Sequence, residues 1–328
     1  FTQGSGILLA NVSNNYILPG LTQGTTYSYY VRSNCGVDGL TIWRGPFNFT
    51  TQSVTPSPWF EGFSTVIPQG FSVTGFSLSN TLAALTPADG YFYYRNIFSP
   101  TTTGGNVTTL NVGPILTGDK LSFVYNYANW SDGLPTGAGE GILEVQISTD
   151  FGNTYTTLAS IPSNDIGGWQ EFETSLASYL GQFVKLKFIG HWDEILDGDF
   201  YLGIDNLYIG SCDIPSAPSV SNTTINSVSL ALNANPADSF EIEYGLIGFV
   251  QGTGTVVTVT GNSATINNLV EATNYEYYIR RTCGLNNNSP WIGKYRFSTS
   301  CNVFVGGFTE NFDTTAVGTI ANPTVPVC

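Results

Sequence analysis

The stretch LTQGTTYSYYVRSNCG, Leu21–Gly36, returns near the other end of the chain as LVEATNYEYYIRRTCG, Leu269–Gly284. The offset is 248 residues, and it also relates FTQGSG at Phe1–Gly6 to FVQGTG at Phe249–Gly254. A long-period repeat of this kind predicts an array of similar modules. We therefore expect the chain to be a fragment of a longer protein, with a first module that lacks its N-terminal part. Other residues related by the same offset are Trp43 with Trp291 and Phe49 with Phe297.

The composition favours β structure in an oxidising compartment outside the cell. Of the 328 residues, 37 are Gly, none is Met and only 10% are charged. Such a mixture suits short strands joined by turns, because Gly supplies left-handed turn positions and Thr and Tyr favour sheets. The net charge is −14, which argues against a nucleic-acid partner or an anionic membrane, since both attract basic surfaces. No apolar run approaches the roughly 20 residues of a membrane span.

The five cysteines can be paired by comparing the two copies. The earlier copy has Ser and Gly where the later one has Cys301 and Cys328. Joint absence is what a disulfide predicts, because a single orphan thiol is a liability in an oxidising compartment. We therefore predict a Cys301–Cys328 bridge, with Cys212 left to pair with Cys283 and Cys35 with a cysteine further upstream. Free buried thiols are the alternative.

Residues 213–300 read as short strands of alternating polarity, in which Tyr275, Tyr277 and Ile279 occupy one face. A Leu stands six residues before the Tyr that opens this strand, an arrangement that predicts a tyrosine corner. The LxxxTxYxYYVR pattern followed by Cys-Gly resembles fibronectin type III modules of secreted Bacteroidetes proteins. It departs from them in lacking the usual Trp of strand B, where Leu230 and Leu232 stand instead.

This resemblance implies the C-terminal half of one sandwich in residues 1–52 and a complete sandwich in residues 212–300. In the fibronectin type III fold, strand A begins at the pole where strand F ends. The resemblance therefore also implies that Cys212 and Cys283 are neighbours.

The sequence of residues 53–211 predicts a larger two-sheet jelly roll, because short stretches such as Leu121–Tyr127, Leu143–Ser148 and Val184–Phe188 alternate apolar and polar residues and eight or more strands are expected. The segments WFEGF, ISTDFGNTYTTL, SLASYLGQFVKLKFIG and FYLGIDNLYIG resemble the MAM and cleaved-adhesin group of jelly rolls. FTENFDTT at Phe308–Thr315 repeats the opening of this module, so residues 301–328 are expected to begin a second jelly roll. The predicted fold class is all-β, with tandem β-sandwiches in which fibronectin type III-like modules alternate with jelly rolls.

The jelly-roll resemblance implies a structural cation where the first strand meets the last. The positions that match its motif are Glu61 and Asp205, with Asp89 as a further candidate and Glu310 as the equivalent in the second jelly roll. Ca²⁺ takes six to eight oxygen ligands, so it would also need carbonyl oxygens. The alternative is that these residues are ordinary carboxylates at a sheet edge.

Aromatic residues suggest a possible sugar-stacking platform made of Tyr91, Tyr93 and Trp130, with core packing as the alternative. Thr314, in Asp-Thr-Thr, resembles the acceptor of Bacteroidetes O-glycosylation, and a simple turn explains it equally well. The only histidine is His191. No Gly-x-Ser-x-Gly elbow accompanies it, so we predict no catalytic residue and no enzyme activity.

Two functions remain in competition. The alternation of modules resembles the very large type IX-secreted adhesins of Bacteroidetes, including those of gliding cells. That resemblance implies a disulfide-pinned stalk on the surface of a Gram-negative cell, whose partners are neighbouring modules and a surface polysaccharide or glycan. The alternative is a carbohydrate-binding accessory region of a secreted polysaccharide-degrading enzyme.

Overall fold

A computed structural model describes residues 1–13, 15–64, 66–82, 85, 90–193, 198–285 and 287–301. Its residues divide into two compact units. The first comprises Phe1–Leu116, Phe123–Phe172 and Leu176–Asn206, and the second comprises Thr117–Ser122, Glu173–Ser175 and Leu207–Cys328. The regular structure is almost entirely β, with three short 3-10 turns at Gly36–Asp38, Pro100–Thr102 and Ala177–Tyr179 in the described ranges.

The strands are numbered in chain order. Those that precede residue 211 are β1 (Thr26–Val31), β2 (Arg44–Thr50), β3 (Val54–Thr55), β4 (Trp59–Glu61), β5 (Ser72–Thr74), β6 (Ser77–Ser79), β7 (Phe92–Ile97), β8 (Asn106–Val112), β9 (Lys120–Asn129), β10 (Gly141–Ser148), β11 (Thr156–Pro162), β12 (Gln170–Ser175), β13 (Val184–Trp192) and β14 (Phe200–Gly210). Those that follow are β15 (Ser219–Thr223), β16 (Val228–Ala231), β17 (Ser239–Leu246), β18 (Thr255–Thr260), β19 (Ser263–Ile266), β20 (Asn274–Thr282) and β21 (Ile292–Ser298).

Strands β3 to β14 form the jelly-roll sandwich of two six-stranded sheets. One sheet has the order β11-β10-β13-β8-β3, with β5 also on β8, and the other has the order β12-β9-β14-β7-β6, with β4 also on β14. Period-2 alternation puts one face of each sheet into a shared core. Across this core the rings of Phe123 and Phe188 lie 5.0 Å apart, and the Tyr127 hydroxyl donates to the Ile161 carbonyl at 2.7 Å.

Strands β15 to β21 form a smaller sandwich with the strand order of a fibronectin type III-like module. A three-stranded sheet, β15-β16-β19, packs on a four-stranded one, β18-β17-β20-β21. The core is made by the inward residues of both sheets, and Leu230 is fully buried at a position where such modules usually carry Trp. The other core residues with the lowest exposure are Val228, Phe240, Ile242, Ile266, Tyr277 and Ile279.

The two copies of the repeat share strand register and tyrosine corner. In β20 and β21, Tyr277 faces Tyr295, and at the equivalent positions of the earlier copy Tyr29 faces Phe47 in β1 and β2. The Val270 N–H donates to the Tyr275 hydroxyl at 2.9 Å, and the equivalent bond from Thr22 to Tyr27 measures 2.8 Å. The sequence repeat is therefore a structural repeat.

The copies differ in how much of the sandwich covers these strands. Tyr277 is 1% exposed, whereas its counterpart Tyr29 is 47% exposed. The reason is that β1 and β2 form a two-stranded sheet in the described part of the chain, without an opposing sheet.

Replacing Tyr275 with Phe should lower the free energy of unfolding by about 1 kcal/mol, because the Val270 N–H loses its acceptor. Urea unfolding followed by tyrosine and tryptophan fluorescence measures the change. Tyr244→Phe is the matched control, since that hydroxyl has no hydrogen bond within the described residues. Equal losses in the two variants would contradict the role of the corner.

Candidate functional sites

The segment that joins β14 to β15 is covalently fixed to the sandwich. Cys212 and Cys283 form a disulfide with a Cα–Cα distance of 5.6 Å and a sequence separation of 71 residues. Cys212 is fully buried, and Cys283 directly follows β20. The structure thus contains this bridge as predicted.

The remaining cysteine predictions are less complete. Cys301 is disulfide-bonded, but its predicted partner Cys328 lies outside the described residues, and that pairing stays a prediction. Cys35 is an exposed free thiol, and its pairing with an upstream cysteine stays a prediction too.

Charged side chains of alternating sign surround the same segment. The Lys120 ammonium lies 3.0 Å from carboxylate oxygens of both Glu173 and Asp213, and these two contacts raise the lysine pKa. The Arg281 guanidinium lies 3.6 Å from Asp213 and 3.1 Å from Asp238. Asp213 is about half exposed, so each pair contributes little on its own. Together they orient the joining segment.

Two neutral hydrogen bonds complete this junction. The Tyr208 hydroxyl donates to the Cys212 carbonyl at 3.0 Å, and burial raises the pKa of Tyr208 to about 12. The Asn287 amide donates to the Ser211 hydroxyl at 3.1 Å. The joining segment is therefore held by one covalent bond and by polar contacts on both sides of it.

Replacing both Cys212 and Cys283 with Ser should lower the free energy of unfolding of the sandwich by about 2–4 kcal/mol, because the unfolded chain regains the freedom of a 71-residue loop. Denaturant unfolding under non-reducing conditions measures this loss. Cys35→Ser is the control and should change stability by less than about 0.5 kcal/mol. A double variant as stable as the parent would contradict the stabilising role of the bridge.

The predicted cation ligands Glu61 and Asp205 lie on strands that pair, because β4 is hydrogen-bonded to β14. Asp205 is fully buried, and its Oδ1 accepts from the Asn206 N–H at 2.7 Å. Glu61 Oε1 accepts from the Phe63 N–H at 2.9 Å. Burial raises the pKa of Glu61, since a carboxylate loses hydration there. Asp89 and Glu310 lie outside the described residues.

Two further oxygens at this cluster are buried and have no hydrogen-bond partner among the described residues. They are the Tyr93 hydroxyl and Asn206 Oδ1. The Tyr93 ring packs edge-on against Phe63 at 4.7 Å, and burial and the Glu61 charge together raise the pKa of Tyr93. A Cβ added to Gly62 would lie 3.2 Å from Asn206 Oδ1, so this oxygen faces the backbone next to Glu61.

The chemistry of this cluster suits a hard cation. Its side chains offer only oxygen atoms, from two carboxylates, one amide and one phenol, and Ca²⁺ prefers oxygen ligands. No group of three or more His, Cys, Asp or Glu side chains with metal-site geometry occurs in the described ranges. A cation here would therefore depend on amide and carbonyl oxygens as well. Sequence reasoning missed Asn206, which adopts a left-handed φ of 52°.

The predicted stacking role of Tyr93 is wrong, because its side chain is only 1% exposed. Phe92 beside it is also fully buried, since the outer face of β7 is covered too: the Phe92 ring contacts Trp169 at 5.6 Å. Both faces of this strand are therefore packed. Tyr91 is partly exposed and Trp130 is 53% exposed, so their stacking role stays a prediction.

His191 sits on β13, and its Nε2 lies 2.9 Å from Glu144 Oε2 on the neighbouring strand β10. Hydrogen bonds from Thr157 and Gln146, and then from His191, lower the pKa of Glu144. The predicted O-glycosylation residue Thr314 lies outside the described residues.

Strand order and register define a class: an all-β repeat protein built of tandem sandwiches, with a fibronectin type III-like module pinned by a disulfide. These features are compatible with an extracellular location, where disulfides persist. In the described part of the chain, no helix has the length and apolar character needed to cross a membrane.

No protein-family profile matches the chain, and no curated protein matches it. Similar solved structures include the human collagen alpha-1(XX) fibronectin type III domain, with 16% identity, 30% of this chain and 93% of that chain covered and a TM-score of 0.25. A human contactin 1 domain has 18% identity, coverage of 30% and 91% and a TM-score of 0.24. The domain of human fibronectin type III domain containing protein 3 has 17% identity, coverage of 28% and 88% and a TM-score of 0.24. These values are low, so the fold assignment rests on strand order and register.

Proposed function

We propose that this chain is a non-catalytic segment of a cell-surface adhesin of a Gram-negative bacterium, of the type IX-secreted, gliding-adhesin kind. Its modules, 1–52, 53–211, 212–300 and 301–328, alternate between fibronectin type III-like sandwich and jelly roll and form a stalk that presents binding surfaces. The observation that carries the proposal is the recurrence of one strand pair, β1–β2 and β20–β21, in the same register, together with a disulfide where the chain enters the complete sandwich.

The physical requirements of a stalk support this proposal. Modules of a stalk have closed cores and touch mainly their neighbours, and the core of the complete sandwich is drawn entirely from residues between Val228 and Phe297. The joining segment is held by a disulfide and by ion pairs, unlike a flexible Gly/Ser linker. The acidic surface, with a net charge of −14, favours solubility outside the cell.

In-frame deletion of the coding region from the source cells tests the proposal. We expect reduced surface attachment or gliding, with unchanged growth on polysaccharides. Antibodies raised against the chain should label intact wild-type cells and not the deletion strain. Loss of growth on one polysaccharide with normal attachment would overturn the adhesin assignment in favour of the accessory-domain alternative.

The alternative, a carbohydrate-binding accessory region, is favoured by one observation, the exposed indole of Trp130. Aromatic rings of this kind stack on sugar rings through their apolar faces. A glycan array with the whole chain tests it, with Trp130→Ala as the variant and Phe98→Ala, an equally exposed ring, as the control. Binding to one polysaccharide that only Trp130→Ala abolishes would support this alternative.

We further propose that the oxygen cluster at β4 and β14 binds Ca²⁺, with Glu61, Asp205 and the Asn206 amide as side-chain ligands. Residues 53–211 contain no cysteine, so the ion would tie β4 to β14, the last strand of the jelly roll, where no disulfide can. The buried Asp205 carboxyl and the buried Asn206 oxygen, which has no hydrogen-bond partner among the described residues, are the features that support this assignment.

Ca²⁺ should raise the melting temperature of the chain. At a free Ca²⁺ concentration of 100 times Kd, binding adds about 2.7 kcal/mol to the free energy of unfolding. Glu61→Gln should abolish the increase, whereas Glu171→Gln, on exposed β12, should retain it. Burial raises the pKa of Glu61, so its protonated form predominates below that pKa and the Ca²⁺ effect should grow as the pH rises through it. Without the ion, the same raised pKa makes the fold less stable as the pH rises. An equal Ca²⁺-induced rise in melting temperature for Glu61→Gln and Glu171→Gln would contradict the site.

A further inference from the structure

We propose that the Cys212–Cys283 bridge is a load bypass, through which tension along the chain crosses the sandwich by way of the two sulfur atoms, so that residues 213–282 cannot be pulled out into extended chain. Its biological meaning rests on the proposed stalk function. The inference itself rests on the covalent path of the chain and on the position of one strand.

The covalent path is set by where the two cysteines stand. Cys212 follows the end of β14 at Gly210, and Cys283 follows the end of β20 at Thr282. The strands β15 to β20 therefore all lie inside the loop that the bridge closes. Force that arrives along β14 passes through the two sulfur atoms to Cys283 and continues into the chain after it. Only β21 remains outside the loop.

The strand β21 is placed to take this load along its own axis. It is an edge strand that pairs only with β20 in the sheet order. The ladder runs from Ile279↔Ile292 at the Cys283 end to Asn274↔Ser298 at the other end. Tension applied at Cys283 and beyond Ser298 therefore pulls from opposite ends of the ladder. In this shear geometry the hydrogen bonds of the ladder share the load, instead of breaking one at a time.

The far end of β21 is fastened to the turns of the sandwich. The Thr299 hydroxyl donates to the Val270 carbonyl at 2.6 Å. The Ser300 N–H donates to the Thr224 carbonyl at 2.8 Å, and the Ala272 N–H donates to the Ser300 carbonyl at 3.2 Å. These bonds resist the same pull. The load thus meets the β20–β21 ladder and this group of contacts before any length is released.

The bypass limits how much chain the module can release. With the bridge intact, only the 17 residues Gly284–Ser300 (300 − 283) can be extended, which is about 60 Å at roughly 3.5 Å per residue. Without it, the 88 residues Asp213–Ser300 (300 − 212) release about 310 Å. The bridge therefore reduces the extension about fivefold and leaves a core onto which β21 can return.

Single-molecule pulling of the whole chain by its two ends tests the bypass. We compare the parent, the double variant Cys212→Ser with Cys283→Ser, and the control Cys35→Ser, all without reductant. The parent and the control should release a segment with a contour length of about 60 Å, and none of about 310 Å, each step being shortened by the distance that the folded segment already spans. The double variant should exchange the short step for the long one. The jelly roll contributes equally to all three traces.

A second readout keeps the test decisive if the double variant does not fold. Its fully stretched chain should then exceed the parent by about 250 Å, the length that corresponds to the sequence separation of 71 between the two cysteines, and the parent should still show the short step. The long step in the parent, or identical traces for parent and double variant, would overturn the bypass. No cells are used, so failure here and failure of the adhesin proposal are distinguishable.

Discussion

The constraint on which the sandwich depends is the alternation of β20 and its register with β21. Tyr275, Tyr277 and Ile279 point into the core because successive side chains of a strand alternate between faces. Slipping the register by one residue would send Glu276 and Arg280 into the core instead, at a large cost in desolvation. The register also sets the tyrosine corner at one end of β20 and Cys283 at the other. The disulfide therefore depends on this same alternation.

The outer face of this sheet is held together by carboxylates. Glu276 is 1% exposed although it lies on that face. Its Oε2 accepts from the Gly248 N–H at 2.8 Å and its Oε1 accepts from the Arg296 guanidinium at 2.8 Å. The Gly248 hydrogen bond is the main reason that its pKa is lowered. Glu243 accepts in the same way from Gly252 and Gly254, each at 2.7 Å. These two buried carboxyl groups thus accept hydrogen bonds from backbone amides of the β17–β18 turn, which fixes that turn.

Sequence reasoning succeeded where a pattern is local or repeated. The constant offset that relates Tyr27 to Tyr275 predicted the shared corner, and fold topology placed Cys212 beside its partner. It failed at Tyr93, because a run of rings does not reveal that a strand is covered on both faces. It also missed the Lys120–Asp213 contact, since the two residues are 93 positions apart and no local pattern joins them. The sequence did not indicate the left-handed φ of Asn206 either, because the position does not carry glycine, the residue that most often marks such a φ.

Under the proposed stalk function, the two kinds of module would meet one mechanical requirement in different ways. Tension would enter a module near its first strand and leave at its last, so a tie between these regions would limit how far the chain between them can be extended. In the jelly roll, β4 pairs directly with β14, and oxygen atoms of Glu61 and Asp205 come from these strands. In the smaller sandwich, β15 and β21 belong to different sheets, so no ladder of hydrogen bonds joins them. A covalent bond placed before β15 and after β20 is then the shortest route around the core, and it leaves β21 as the one strand of this sandwich outside the closed loop.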